Sequence, residues 1–111
     1  MYYQKYGNKK VLINGIKFDS KKEANRYYEL LLLQKSGEIS NLELQPKFLL
    51  QEGFKKNGKT YRKIEYIADF KYIENGKIIV EDVKGFSTEV FKLKNKLFEY
   101  KYPKLELKLI K

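Results

Sequence analysis

The amino-acid sequence predicts an α+β protein with a mixed β-sheet, built as one domain over residues 1–111. Three observations support this prediction. A length of 111 residues suits one compact domain, and 42% of the residues are hydrophobic, enough to form a core. Three Asn-Gly pairs separate segments rich in Val, Ile, Tyr and Phe, which is typical of β-hairpins. Two further segments carry apolar residues at helical spacing.

Each Asn-Gly pair predicts a two-residue turn, because both residues tolerate the positive φ that a type I′ hairpin requires. The first hairpin would precede the main body of the domain. The other two would share a strand and form an antiparallel meander. We expect strands at 10–13 and 16–18 around the first turn, near 42–54 and 61–73 around the second, and at 77–84 after the third.

The first predicted helix begins at Ser20, followed three residues later by Glu23, a pattern typical of a capping box. Gly37 supplies the expected stop, since glycine adopts the left-handed conformation at helix ends. Apolar residues then recur at helical spacing and predict a buried face, formed by Ala24, Tyr27, Tyr28, Leu31 and Leu32.

The second predicted helix covers residues 88–101 and ends before Pro103. Its expected apolar face consists of Val90, Phe91, Leu93, Leu97 and Phe98. Residues 105–109 alternate with period two and predict a last strand. After the N-terminal hairpin, the predicted order is α-β-β-β-α-β. A strand, helix and strand in succession imply a crossover connection, so the sheet should be mixed.

Composition limits the chemistry of the protein. The sequence contains no Cys and no His, which excludes thiol nucleophiles, Ser-His-Asp triads and imidazole metal sites. Any metal would need oxygen ligands, as Mg²⁺ and Mn²⁺ do. The net charge of +10 favours a phosphate-rich partner such as DNA, but only two of the 24 basic residues are arginine, which argues against base-specific readout.

The sequence gives no sign of a membrane partner or an export signal. Its apolar runs are far shorter than the roughly 20 residues that span a bilayer, and its N-terminus has no apolar leader core. We therefore expect a cytoplasmic protein. Residues 1–10 interleave tyrosine with lysine, and they are either a disordered basic tail or a segment that stacks on unpaired bases.

Two acidic residues are expected to face each other across the third hairpin. If Asn75 and Gly76 form the turn, Glu74 lies opposite Lys77, and the same register places Asp69 opposite Asp82. Two like charges so close cost free energy unless a cation lies between them or one carboxyl stays protonated. A divalent ion there would suit phosphodiester hydrolysis. Lys84, on the same strand face as Asp82, would hold the attacking water or the phosphate.

The pattern Ala68-Asp69, a hairpin, then Asp82-Val83-Lys84 resembles the PD-(D/E)XK nuclease superfamily, whose motif has proline where this chain has Ala68. The resemblance implies a restriction-endonuclease-like αβββαβ core and a DNA endonuclease that uses Mg²⁺ or Mn²⁺. It also implies Asp69, Asp82 and Glu23 as catalytic metal ligands, with Lys84 as a catalytic residue.

Several longer segments are similar to a family of small phage-encoded proteins grouped with Holliday-junction resolvases. These segments are 18–24, 37–39, 44–48 and 81–85. The resemblance implies branched DNA as the substrate, in the cytoplasm of a bacterial host. Symmetric cleavage of a junction needs two active sites, so a homodimer is expected. Gln45 would contact the substrate, and a row of lysines on the second helix would contact phosphates, namely Lys92, Lys94, Lys96 and Lys101.

Structural explanations remain open for each of these residues. Glu23 occupies the position of a capping-box glutamate, which needs no catalytic role. Asp69 would fit a solvated strand face, and Asp82 an exposed surface charge pair beside Lys84. Gln45 before Pro46 is an ordinary way to end strand pairing, and the four lysines would fit a solvated helix face. The alternative function is therefore a noncatalytic DNA-binding or regulatory module, and RNA also remains open as a substrate.

Overall fold

A computed structural model describes residues 11–13, 15–83 and 88–111 of the chain. The predicted tail at 1–10, Asn14 and Lys84 lie outside the described residues. The elements are β1 Val11–Ile13, β2 Ile16–Phe18, α1 Lys21–Lys35, β3 Ser40–Leu44, β4 Lys47–Gln51, β5 Phe54–Lys56, β6 Lys59–Tyr61, β7 Ile64–Ile67, β8 Phe70–Glu74, β9 Lys77–Val83, α2 Glu89–Lys101 and β10 Glu106–Ile110.

The largest sheet in the described part of the chain has four strands in the order β10-β9-β8-β3. Strands β3, β8 and β9 are antiparallel neighbours, and β10 runs parallel to β9 after the connection through α2. The protein is therefore α+β with a mixed sheet, as predicted. The helices and the strands of this sheet follow one another along the chain as α1, β3, β8, β9, α2 and β10.

The hairpin between β8 and β9 has the predicted register. Glu74 pairs with Lys77 and Phe70 with Glu81, around a turn in which Asn75 and Gly76 have φ values of 52° and 76°. Positive φ at both positions is the signature of the type I′ turn. The N-terminal hairpin is also confirmed, since Ile13 pairs with Ile16.

The prediction of one long strand on either side of Asn57-Gly58 is wrong, because each of the two strands is interrupted. Pro46 has no N–H to donate, and Gln45 before it has a φ of 51°, which ends β3. The opposite strand breaks at Ala68 and Asp69. Two hydrogen bonds join the breaks, from Gln45 N to Asp69 O at 3.0 Å and from Ala68 N to Pro46 O at 3.1 Å. We call this double interruption the corner.

Beyond the corner, residues 47–67 form a two-stranded ribbon outside the four-stranded sheet. Strand β4 pairs with β7, and β5 pairs with β6 up to the turn at 57–58. The register shifts once, between Leu49 and Gln51, where a β-bulge lies.

The predicted helix ends are confirmed, but the predicted buried faces are only partly right. Ser20 Oγ accepts the N–H of Glu23 at 3.1 Å, and Gly37 has a φ of 87° directly after the C-cap Ser36. Tyr28 and Leu32 are exposed, whereas Leu30 is completely buried. On α2, Val90 and Leu93 are exposed and Phe98 is buried. Hydrophobic periodicity predicts an amphipathic helix, but contact with the sheet decides which narrower stripe is covered.

Each face of the sheet carries its own apolar cluster. Residues from α1 pack with Phe70, Tyr72 and Ile79, whereas Phe98 of α2 packs with Val80. Because Ile79 and Val80 are neighbours in one strand, the two helices cover opposite faces. Neither helix of the described chain is long and apolar enough to cross a membrane.

Candidate functional site

The candidate site lies where β9 approaches the corner. Asp82 is near the end of β9 and only 2% exposed. It shares its strand face with Val80, which is buried against Phe98 and Tyr66. The hydroxyl of Tyr66 donates a hydrogen bond to Asp82 Oδ2. The alternative of an exposed surface charge is therefore wrong for Asp82.

Asp69 is positioned by the backbone at the corner. Its N–H donates to Glu81 O at 3.1 Å, and its carbonyl accepts the N–H of Gln45 at 3.0 Å. The carboxylate oxygen Oδ2 accepts the N–H of Val83 at 2.7 Å. Because Phe70 pairs with Glu81, Asp69 is the next residue in register and lies opposite Asp82, as predicted.

The two carboxyl groups interact directly. The pKa of Asp69 is raised to about 8, chiefly by burial and also by the adjacent carboxyl of Asp82, while the hydrogen bond from the N–H of Val83 lowers it. At neutral pH and without a cation, Asp69 therefore holds a proton. Burial and the bond to Asp82 also raise the pKa of Tyr66, which keeps its hydroxyl a donor. The prediction that this pair needs a proton or a cation agrees with this geometry.

Glu23 lies near the start of α1 and is 9% exposed. Its charge acts on Asp69 and contributes to the raised pKa of that group. Its N–H makes the capping bond to Ser20. Glu23 thus has a capping position and an electrostatic link to the acidic pair at the same time.

The donor set suits a hard divalent cation. Mg²⁺ is commonly held by one or two carboxylates, with water and substrate phosphate oxygens completing its coordination. Asp69 and Asp82 provide two adjacent carboxylates of this kind. Among the described residues, no group of three or more acidic side chains is arranged to hold a metal ion. The fit therefore rests on the pair, and Glu23 as a third ligand stays a prediction.

The other predicted residues have different positions. Gln45 is exposed, has a φ of 51°, and is joined to Asp69 through the backbone, so it lies at the edge of the site. A φ in this range is uncommon for glutamine and is typical of functional loops. Lys84 follows Val83 directly but lies outside the described residues.

The four predicted phosphate-binding lysines do not form one row. At about 100° per residue, Lys92 and Lys96 share one side of α2, and Lys94 and Lys101 share nearly the opposite side. Lys92 pairs with Glu89 at 3.4 Å, Lys96 and Lys101 are exposed, and Lys94 is half-buried. The rings of Phe91 and Tyr66 are 6.1 Å apart, which places the first part of α2 beside the hydroxyl donor of the site.

A second acidic site on β9 was not predicted. Glu81 is completely buried on the face opposite to Asp82. Arg26 of α1 binds it with two hydrogen bonds, from Nε to Oε1 at 2.8 Å and from Nη2 to Oε2 at 2.6 Å. Tyr72 donates its hydroxyl to Oε2. The hydrogen bond to Glu81 raises the pKa of Arg26. The pKa of Tyr72 is raised chiefly by burial and also by its hydrogen bond to Glu81.

The sequence contained one signal for this cluster. Arg26 is one of two arginines among 24 basic residues, and it follows Glu23 by one helical turn. Side-chain alternation along β9 puts Glu81 on the face opposite to Asp82. Arg26 and Glu81 are 55 positions apart, and nothing in the sequence indicates that they pair.

Comparison with known proteins assigns a family. A family model described as "Protein of unknown function (DUF1064)" matches residues 3–111, almost the whole chain, so the chain belongs to this family. No curated protein matches the sequence. No solved structure matches it either.

Proposed function

We propose that this DUF1064 protein is a divalent-metal-dependent endodeoxyribonuclease that hydrolyses phosphodiester bonds. The observation that carries the proposal is the pairing of the buried Asp82 with the half-buried Asp69, whose pKa is raised by burial and by the neighbouring Asp82. Burying two acids together is costly unless a cation or a proton compensates them. Such a pair is more readily explained by cation binding than by stability.

The fold supports the same proposal. The order α1, β3, β8, β9, α2, β10 is similar to the αβββαβ core that the motif resemblance implies, with the ribbon inserted between β3 and β8. The acidic pair lies at neighbouring strand ends of this core. The net charge of +10 provides the long-range attraction that a DNA substrate requires.

Each residue of the site has a defined task in this proposal. Asp69 and Asp82 hold Mg²⁺ or Mn²⁺, and Glu23 adds negative charge from α1. The cation supplies charge that stabilises the transition state of phosphodiester hydrolysis and activates the attacking water. The hydroxyl of Tyr66 binds one oxygen of Asp82 and the N–H of Val83 binds one oxygen of Asp69, and these two bonds hold the carboxyl groups in place. Lys84 orients the water or the phosphate.

The proposed substrate is branched DNA, processed during phage replication or recombination in the bacterial cytoplasm. Few arginines are present to read bases, so the shape of the DNA is the more suitable feature to recognise. Two strands of a junction must be cut, and the described part of the chain offers one such acidic pair, so the proposed active form is a homodimer.

The decisive experiment uses a labelled four-way junction with Mg²⁺, Mn²⁺ or EDTA. We expect cleavage with either metal and none with EDTA. Asp82→Asn should abolish cleavage, whereas Glu38→Gln, a change at an exposed acid after α1, should leave it intact. Cleavage by Asp82→Asn at the wild-type rate would contradict the proposal.

One observation favours the alternative of a noncatalytic DNA-binding module. The described residues contain no cluster of three acids suited to a metal ion. This alternative predicts junction binding without cleavage under every metal condition, so the same experiment decides between the two functions.

A further inference from the structure

The distal part of the ribbon, residues 51–63, projects from the protein, and we call it the arm. All 13 of its residues are exposed, and its strands β5 and β6 pair only with each other. Neither apolar cluster of the described residues includes any part of it. Each strand of the arm has about six residues before the turn, so the arm reaches roughly 20 Å at about 3.3 Å per residue.

The arm is strongly basic. It contains five basic residues and one acidic residue, and two of its lysines, Lys56 and Lys59, face each other across the strands beside the turn. Like charges directly opposite one another destabilise a hairpin. An anionic partner that lies between them removes this repulsion.

The arm also carries two exposed aromatic rings. Phe54 and Tyr61 are cross-strand partners whose rings stack with centroids 4.7 Å apart, and they remain 45% and 39% exposed. The ammonium of Lys59 lies 5.1 Å from the centre of the Tyr61 ring. Flat apolar surface beside cationic groups suits a nucleobase next to its phosphate.

The base of the ribbon is part of the candidate site. Tyr66 of β7 donates to Asp82, and the corner links Gln45 and Pro46 to Asp69 and Ala68. The arm therefore extends away from the acidic pair, so one DNA molecule of ordinary size can contact both the arm and the acidic pair.

We infer that the arm is a DNA-binding element: its lysines contact phosphates of the substrate at a distance from the scissile bond, and its ring pair stacks on a base left unpaired at a branch point. This inference rests on the proposed function, since it names the element that recognises the substrate. Duplex arms would satisfy the lysines, and only a branched or single-stranded substrate would also occupy the rings.

The test measures binding without cleavage, by fluorescence anisotropy in EDTA with a labelled four-way junction, a linear duplex and a single strand. The first variant is Lys56→Gln/Lys59→Gln. Its matched control is Lys77→Gln/Lys104→Gln, which removes the same charge from exposed positions at the opposite end of β9 from Asp82. We expect about 10-fold weaker junction binding and a salt slope smaller by about 2 for the first variant, with little change in the control.

A second pair of variants examines the rings and the folding of the arm. Phe54→Ala/Tyr61→Ala should reduce the preference for the junction over the duplex about 10-fold or more, since stacking contributes strongly per base. A shortened arm that joins Gly53 to Asn57 and Gly58 to Arg62 removes three residues from each strand and keeps their register. It should bind the junction weakly and unfold at the wild-type temperature.

The outcomes separate this inference from the proposed nuclease activity. Weaker binding by the arm variants, with no cleavage by the wild type in Mg²⁺, supports the arm and refutes the nuclease. Unchanged binding by the arm variants refutes the arm even if the wild type cleaves DNA. Equal weakening in the lysine control, or no DNA binding by the wild type, also refutes it.

Discussion

Two neighbouring acids of β9 meet opposite environments on the two faces of the sheet. Glu81 is buried against Arg26 and the hydroxyl of Tyr72, so its charge is neutralised within the protein. Asp82 is buried against Tyr66 and a second acid, Asp69. Each acid accepts one tyrosine hydroxyl, and Glu81 also accepts two hydrogen bonds from the guanidinium of Arg26.

The difference indicates what each face does. A buried acid with a bidentate arginine is satisfied and fixes α1 against the sheet. A buried acid beside another acid costs free energy that a bound cation or a proton can offset. One doublet in the sequence thus provides a structural acid and a candidate functional acid. The predictions that follow test this division.

The largest effect is expected for Asp82→Asn. Loss of one carboxylate from the pair should lower junction cleavage by about 10³-fold, equivalent to about 4 kcal/mol. The free energy of unfolding should change by less than about 1 kcal/mol, since asparagine keeps the shape and its amide can still hydrogen-bond to Asp69 and Tyr66. Single-turnover cleavage and urea unfolding measure the two quantities. A large loss of stability would assign Asp82 the structural role of Glu81.

Arg26→Met, in contrast to Asp82→Asn, should strongly lower the free energy of unfolding measured in urea. It leaves Glu81 buried without its partner, which typically costs about 3 kcal/mol or more. The double variant Arg26→Met/Glu81→Leu removes both charges and should recover most of that loss. If the double variant is no more stable than the single one, the ion pair is not what couples α1 to β9.

Tyr66 and Tyr72 allow a matched comparison, in which we expect smaller effects on stability. Tyr66→Phe and Tyr72→Phe each remove one hydroxyl donor to a buried carboxylate and keep the ring, at a cost of about 1 to 3 kcal/mol. Only Tyr66→Phe should also slow cleavage, because it alone frees an oxygen of Asp82. Equal effects of both changes on the cleavage rate would contradict the separation of the two faces.

The smallest effect is expected for Ser20→Ala, which removes the N-cap of α1. The loss should be about 1 kcal/mol in urea unfolding, since the N–H of Glu23 loses its acceptor. Thr88→Ala is the matched change on α2, where Thr88 caps Phe91. If Glu23 also serves the acidic pair, Ser20→Ala should reduce cleavage more than Thr88→Ala does.

Local signals explain what the sequence could predict. The Asn75-Gly76 turn fixes its own register, so the meeting of Asp69 and Asp82 followed from counting along two strands. The caps at Ser20 and Gly37 are equally local. The mixed sheet followed from the order of the elements.

The remaining features depend on contacts between distant parts of the chain. The corner at Gln45 and Asp69 requires two interruptions, 24 positions apart, to coincide. The ion pair of Arg26 and Glu81 forms only when α1 packs on the sheet in its observed position. The exposure of Leu32 and Leu93 depends on the same packing. Periodicity in one segment carries no information about such docking.

The bidentate bond between Arg26 and Glu81 has a consequence for strand alignment. Sliding β9 by one residue would turn every side chain to the other face. In one direction Asp82, with a side chain one methylene shorter, would stand before Arg26, and in the other direction Val80 would stand there with no charge at all. The guanidinium of Arg26 therefore favours the register of β9 in which Glu81 lies opposite it. A contact on one face of the sheet thus keeps Asp82 on the other face, beside Asp69.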